Sequence, residues 1–228
     1  MVAGRKRALD DVSVVVVTYN GMPHVERCLQ SVFGLETILV DHGSTDGTLE
    51  LVRGSFPAVT VVSQETRGFA AGGNTGVRRA AGGFVLLLNS DAWVLDGAVG
   101  ALAEAADADP EAAAVGSRLV YPDGSPQVSI RGFPTPWRLA TQYLFLARIA
   151  PRSRILNAFY GGGLPMDRPA EVEFLKGACL LLRREAYDEI GPFDEAFFMF
   201  CEEELELSAR GRLRRLRHAP HPTHRAGG

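Results

Sequence analysis

The sequence predicts an α/β fold built on a mostly parallel sheet, and three observations carry that prediction. The run Val12–Val17, β-branched except at Ser13, reads as a strand buried on both faces. Short apolar segments then alternate with stretches at helical spacing, the pattern of strand–helix–strand units with right-handed crossovers. Polar clusters follow the strands directly: Thr18-Tyr19-Asn20 after the first, Asp41-His42-Gly43-Ser44 after the second and Asn89-Ser90-Asp91 after the fourth. In open parallel sheets ligands bind beyond the carboxyl ends of the strands, so chemistry is expected at these clusters.

Each element has its own signal. After Val12–Val17, the segment His24–Phe33 sets Val25, Leu29 and Val32 at helical spacing. Thr37–Val40 reads as a second strand. Thr45–Arg53 reads as a helix with Ser44 or Asp46 near its N-cap. Val59–Ser63 is a third strand, Ala70–Ala81 a helix of small residues and Phe84–Leu88 a fourth strand. Gly97–Ala108 is an alanine-rich helix stopped by Pro110, and Ala112–Gly116 is another strand.

Beyond residue 120 the regular alternation fades. Tyr121-Pro122-Asp123-Gly124 reads as a hairpin turn. Trp137–Ile149 is expected as one amphipathic helix and Pro151–Pro169 as a long loop. Ala178–Leu182 follows as a strand, then Arg184–Ile190 and Glu202–Arg210 as helices. No internal repeat is visible, and 228 residues supply one large core, so a single domain over residues 1–228 is expected.

Composition narrows the class. Hydrophobic residues make up 46% and charged residues 22%, as in ordinary globular chains. A net charge of −3 offers no global basic field for nucleic acid. Cys28, Cys179 and Cys201 are far apart, odd in number and without a C-x-x-C, which argues against a disulfide framework or a zinc knuckle. The basic start is followed by Asp10-Asp11 and a six-residue apolar run, too short for a signal sequence. No stretch reaches the ~18–20 apolar residues of a membrane span. The expected location is the cytoplasm, with a seat on the cytoplasmic face of a membrane left open.

Five segments carry residue types suited to catalysis or binding. Asp41, in Val-Asp-His-Gly-Ser-Thr-Asp-Gly, offers a carboxylate to a base N–H or a ribose hydroxyl. On spacing alone a capped turn accounts for it equally well. The segment Gly68–Gly76 is rich in glycine and alanine, which lets a helix approach a sheet or ligand closely, and Arg67 precedes it. It is neither a P-loop nor G-x-G-x-x-G. Asp91 lies at the exit of an apolar strand, where a carboxylate suits Mg²⁺ or Mn²⁺ on a diphosphate; alone, it reads as a turn cap.

Glu202, Glu203, Glu204 and Glu206 crowd a helix start, where they favour the dipole and where one of them suits a general base. His224 suits a divalent metal, although spacing alone reads His218, His221 and His224 as exposed tail residues. The arginines at 210, 212, 214, 215 and 217 read as a solvated helix end and strand, with anionic lipid as the alternative contact.

Together these segments resemble a known family. Val-Val-Val-Val-Thr-Tyr-Asn-Gly, Val-Asp-His-Gly-Ser-Thr-Asp-Gly-Thr, Arg-Gly-Phe-Ala-Ala-Gly-Gly-Asn-Thr-Gly, Leu-Leu-Leu-Asn-Ser-Asp-Ala, Lys-Gly-Ala-Cys-Leu-Leu-Leu-Arg-Arg-Glu-Ala and Ile-Gly-Pro-Phe-Asp-Glu-Ala-Phe-Phe-Met-Phe occur in that order. The order resembles the inverting family-2 glycosyltransferases, particularly the bacterial rhamnosyltransferase-like branch, over residues 12–225. The resemblance implies a GT-A fold: a mostly parallel, Rossmann-like central sheet with helices on both faces. Residues 12–120 would form its nucleotide-sugar-binding half and residues 121–228 its acceptor-binding half.

The roles the resemblance implies are specific. Thr18, Tyr19 and Asn20 sit beside the nucleotide, and Asp41 contacts its base or ribose. Arg67 and Asn74 lie in the nucleotide segment. Asn89-Ser90-Asp91 matches the D-x-D position in an N-x-D form, so Asn89 and Asp91 meet the donor and Asp91 holds the metal, with His224 assisting. The base comes from Glu203 or Glu204, which a helix separates by about 100° so that only one faces the donor.

The implied reaction moves rhamnose or a similar hexose from a dTDP- or UDP-sugar to a glycan or lipid-linked acceptor, with inversion. Its implied setting is bacterial cell-surface polysaccharide synthesis. His42 stands where the family usually has Asn, Ser90 where it has Pro, and Thr66 and Gly73 where it has two further Asn residues. A second expectation is a degenerate GT-A domain that binds nucleotide or a partner protein without turnover. A sugar nucleotidyltransferase fits worse, because Thr18-Tyr19-Asn20-Gly21 lacks the basic residue expected after strand one.

Overall fold

The computed structural model describes residues 9–164, 169–197 and 215–225. The first half runs β1 (Val12–Thr18), α1 (Val25–Ser31), β2 (Glu36–Asp41), α2 (Thr48–Ser55), β3 (Thr60–Ser63), α3 (Gly68–Arg79), β4 (Phe84–Asn89), β5 (Ala92–Val94), α4 (Ala98–Asp107) and β6 (Ala112–Val120). The second runs β7 (Ile130–Arg131), α5 (Pro136–Tyr143), α6 (Leu146–Ile149), a 3-10 turn (Ala158–Tyr160), β8 (Ala170–Val172), β9 (Phe174–Leu175), β10 (Cys179–Arg183), α7 (Arg184–Ile190) and β11 (Arg215–Arg225).

Among the described residues, nine strands share one sheet ordered β3-β2-β1-β4-β10-β6-β11-β5, with β8 paired to β11. β3, β2, β1 and β4 run parallel to one another. β10 enters antiparallel between β4 and β6, while β11 is parallel to β6. The alternating pleat feeds two cores. Val14, Val16, Leu86 and Leu88 face one; Val15, Ile38, Val85 and Leu87 face the other. Burial on both faces is what the valine run Val14–Val17 predicts.

The small-residue character of α3 has a direct cause. A Cβ at Gly76 would lie 2.1 Å from Val15 Cγ1, and one at Gly72 would lie 2.6 Å from Val17 Cγ1. Only glycine lets this helix seat so closely on β1.

Several expectations shift. The second helix begins at Thr48 rather than Thr45, because residues 44–46 are bonded into a turn and Gly47 caps with φ 92°. The stretch Trp137–Ile149 is two helices, not one, since Phe145 adopts a left-handed φ of 56° between them. Ala92–Val94, where no strand is expected from the sequence, form one. The strand expected at Ala112–Gly116 continues to Val120.

The turn at Tyr121–Gly124 is present, closed by the Gly124 N–H on the Tyr121 carbonyl at 2.8 Å. The tail is a strand: β11 threads into the sheet, and His218 is fully buried rather than exposed. The register slips between Ala219 and Pro222, where prolines cannot donate to the ladder. The expected helix Glu202–Arg210 lies outside the described residues.

Candidate active site

The strand register builds the site. Across three adjacent parallel strands, Thr18 pairs with Asp41, and its neighbour Val17 pairs with Asn89. Thr18, Asp41 and Asn89 therefore end β1, β2 and β4 at the carboxyl edge, within one residue of a common level. Thr18 is only 2% exposed, and its hydroxyl has no hydrogen-bond partner. Gly21 packs against that hydroxyl and against Ser90, which brings the loops after β1 and β4 together.

The loops after β1 and β2 are stapled to each other. Asn20, with φ 51°, donates its N–H to Ser44 Oγ at 2.8 Å, and its Oδ1 accepts from the Thr45 N–H at 2.9 Å. The Gly21 N–H donates to Thr48 Oγ1 at 3.0 Å, and the Met22 N–H to Asp46 Oδ2 at 2.9 Å. The Thr48 hydroxyl also donates to Asp46, which holds that carboxyl below its ordinary range. Tyr19 is left exposed beside this staple. Asp41 is buried, with its carboxylate accepting from the N–H groups of Gly43 and Ser44.

His42 is buried behind Asp41. Its Nε2 lies 3.2 Å from Gln64 Nε2, and its carbonyl accepts from Thr66 Oγ1 at 2.6 Å. Burial pushes its pKa below the ordinary value of 6.5, against the opposing pull of Asp41. Thr66 thus fills its departure from the family pattern with a bond to His42, the neighbouring departure.

Asp91 follows the β4 end on a turn braced from below by α1. The Cys28 thiol donates to the Asn89 carbonyl at 3.5 Å. Cys28 is fully buried, and burial, then the Asp91 charge, raises its pKa, which favours the neutral thiol. Ser31 Oγ accepts from the Val94 N–H at 3.1 Å, and the Arg27 guanidinium covers the Trp93 ring at 3.9 Å. β11 closes the far side: His224 pairs with Trp93 and Arg225 with Ala92, the residue after Asp91.

Arg67 and Asn74 converge on the loop after α7. Arg67 Nη2 meets Glu195 Oε2 at 3.1 Å. Asn74 is fully engaged: its Nδ2 donates to the Phe193 carbonyl and to Glu195 Oε1, while its Oδ1 accepts from the Tyr187 hydroxyl and the Phe193 N–H. Glu203 and Glu204 lie outside the described residues. Among the described residues no three of His, Cys, Asp and Glu cluster as a metal site.

Sequence reasoning missed the structural partners: Asn20 as a staple, Cys28 and Arg27 under the Asp91 turn, and Tyr187 and Phe193 around Asn74. The positive-φ tolerance of Asn was the only local signal for Asn20. The others depend on long-range packing.

A sequence model of glycosyl transferase family 2 matches residues 13–191. The chain is 34% identical over 215 residues to an N-acetylglucosaminyl-diphospho-decaprenol L-rhamnosyltransferase of Mycobacterium tuberculosis, covering 85% of this chain and 68% of that one. It superposes on GalNAc-T7 with UDP, GalNAc and Mn²⁺ with a TM-score of 0.69 at 16% identity, over 96% of this chain and 44% of that one. A mannosyltransferase of Pyrobaculum calidifontis in complex with GDP-Man and Mn²⁺ gives 0.64 at 22% identity, over 97% and 62%. The chain thus spans about half the length of these solved chains and two thirds of the curated relative. On the motif order, the fold and these matches, the chain belongs to glycosyl transferase family 2 and is a glycosyltransferase with the GT-A fold.

Proposed function

We propose that the chain transfers a hexose, rhamnose or a close analogue, from a dTDP- or UDP-sugar to a hydroxyl of a lipid-linked glycan, with inversion. The alignment of Thr18, Asp41 and Asn89 at one sheet edge, with Asp91 on the next turn, carries this reading. Its donor and acceptor follow the Mycobacterium tuberculosis relative, whose name specifies rhamnose and an N-acetylglucosaminyl-diphospho-decaprenol acceptor.

In this proposal exposed Tyr19 packs on the base and Asp41 receives the base or ribose. Arg67 exchanges its exposed ion pair with Glu195, a contact worth at most about 1 kcal/mol, for the donor diphosphate. Asn74 has no hydrogen-bonding capacity left for a ligand, so its role is to position the 193–195 loop. The buried, unpartnered Thr18 hydroxyl and the hard oxygen of Asp91 suit a diphosphate with its cation. Asp91 would hold Mg²⁺ or Mn²⁺ with His224, and the diphosphate oxygens would complete the shell. The metal's contribution is to offset charge on the departing nucleoside diphosphate.

Glu203 or Glu204 takes the proton from the acceptor hydroxyl. The hydroxyl oxygen bonds to the anomeric carbon from the face opposite the diphosphate, and the bond from that carbon to the diphosphate oxygen breaks.

The test is incubation of the protein with dTDP-rhamnose or UDP-hexoses, Mn²⁺ and a short-chain polyprenyl-diphospho-N-acetylglucosamine. Mass spectrometry should show the acceptor gaining one deoxyhexose or hexose. Nucleotide binding with no product from any donor would return the chain to the non-catalytic reading.

A further inference from the structure

Outside the donor site, the connection through α5 and α6 is built inside out. Its inward contacts are polar. Thr141 is buried, Gln142 Nε2 donates to the Tyr160 hydroxyl at 2.9 Å, and Arg138 pairs with Glu173 at 2.8 Å. Its outward positions are apolar. Tyr143 is 76% exposed, Leu144 66%, Phe145 59%, Ile149 79% and Ile155 66%. A helix of a soluble domain normally turns these faces the other way.

The left-handed turn at Phe145 thrusts three consecutive large side chains outward, and the Arg148 guanidinium sits over the Phe145 ring at 4.9 Å. Arg152 and Arg154 are exposed on the same connection. They also line an open groove of about 560 Å³ together with Gln127, Ser129 and Asn157. Between Asp123 and Asp167 the sequence has five arginines and no acidic residue.

We infer that this knuckle, residues 143–155, seats the protein on an anionic phospholipid bilayer, with the apolar side chains entering the headgroup boundary and Arg148, Arg152 and Arg154 meeting phosphates. Exposed aromatic and aliphatic residues interleaved with arginine, with no acid nearby, complement a negative apolar-cored surface. An acidic protein partner would not need the protruding apolar side chains. Of the arginines at 210–217, for which the sequence offers anionic lipid as the alternative contact, Arg217 is committed to Asp109 at 2.6 Å. No helix among the described residues is long and apolar enough to cross a membrane, so seating would be at the surface. This inference does not depend on the donor or acceptor assigned above.

The experiment is co-sedimentation of the full chain with vesicles of phosphatidylglycerol and phosphatidylcholine, against vesicles of phosphatidylcholine alone, at low and high salt. The expected result is binding to the anionic vesicles, weakened by salt. It should fall roughly tenfold or more in Phe145→Ser/Ile149→Ser and in Arg148→Glu/Arg152→Glu, with circular dichroism and nucleotide binding unchanged. Wild-type protein left in the supernatant, or both double variants sedimenting like wild type, would overturn the inference. So would a dimer in solution that dissociates in Phe145→Ser/Ile149→Ser without any vesicle binding, which would give the face to a second copy of the chain.

Discussion

Asn74 on α3 and Phe193 after α7 exchange two hydrogen bonds, each 2.9 Å long, one through the Asn74 Oδ1 and one through its Nδ2. The same amide accepts from the Tyr187 hydroxyl and reaches Glu195, so one side chain ties the glycine-rich helix to the loop that leads toward the acidic segment. Replacing Asn74 by Ala leaves the Phe193 N–H and carbonyl buried without partners. The expected loss of stability is about 2–4 kcal/mol in urea unfolding. If Asn74 positions the 193–195 loop, as proposed, kcat should fall while nucleotide affinity holds.

Gly76 and Gly54 are both helical glycines with opposite surroundings. An alanine methyl at 76 would overlap Val15, whereas one at 54 meets nothing within 4 Å. Gly76→Ala should destabilise by about 1–3 kcal/mol despite alanine's better helix propensity. Gly54→Ala should be neutral or stabilising by up to about 1 kcal/mol. Equal melting temperatures for the two variants would contradict the close seating of α3 on β1.

His42 gives the fold a pH dependence of known sign. Its folded pKa is lowered by burial, so below about 6.5 the unfolded chain binds the proton that the folded chain refuses. The His42 contribution is complete above the unfolded value and is lost as pH falls through it toward the folded one. Denaturation series from pH 7.5 to 5 should therefore show wild type losing stability faster than His42→Asn. Parallel curves would mean that His42 is not held neutral.

In the proposed mechanism one glutamate carries the base role. Glu203→Gln and Glu204→Gln should differ by two or more orders of magnitude in kcat, because general-base catalysis contributes about 10²–10⁴-fold and the sequence predicts a helix here, on which adjacent positions point apart. Full activity in both would remove the base from this segment.

The first half of the fold was legible because each signal was local. A valine run buried on both faces, glycines where α3 touches β1, and polar triplets after strands can each be read without knowing the partner. That Thr18, Asp41 and Asn89 gather at one sheet edge follows from parallel topology. The second half was less legible because its determinants are distant. β11 carries arginines, histidines and two prolines, a poor strand signature, yet it is held by β6, β5 and β8. The left-handed Phe145 that splits the expected helix has no glycine to announce it. Asn74 was read as a ligand contact because its motif is shared, but its partners lie about 119 residues downstream.

The central claim is that the carboxyl edge beside Asp91 binds a nucleoside diphosphate with a divalent cation. It is tested most directly by calorimetric titration of dTDP, UDP and GDP, with and without Mn²⁺, into wild type and Asp91→Ala. One nucleotide should bind wild type in a Mn²⁺-dependent way. Asp91→Ala should keep its circular dichroism spectrum and lose that dependence together with turnover. Equal Mn²⁺-dependent binding in both proteins would contradict the assignment of Asp91, and no binding of any nucleotide to wild type would contradict the donor site itself.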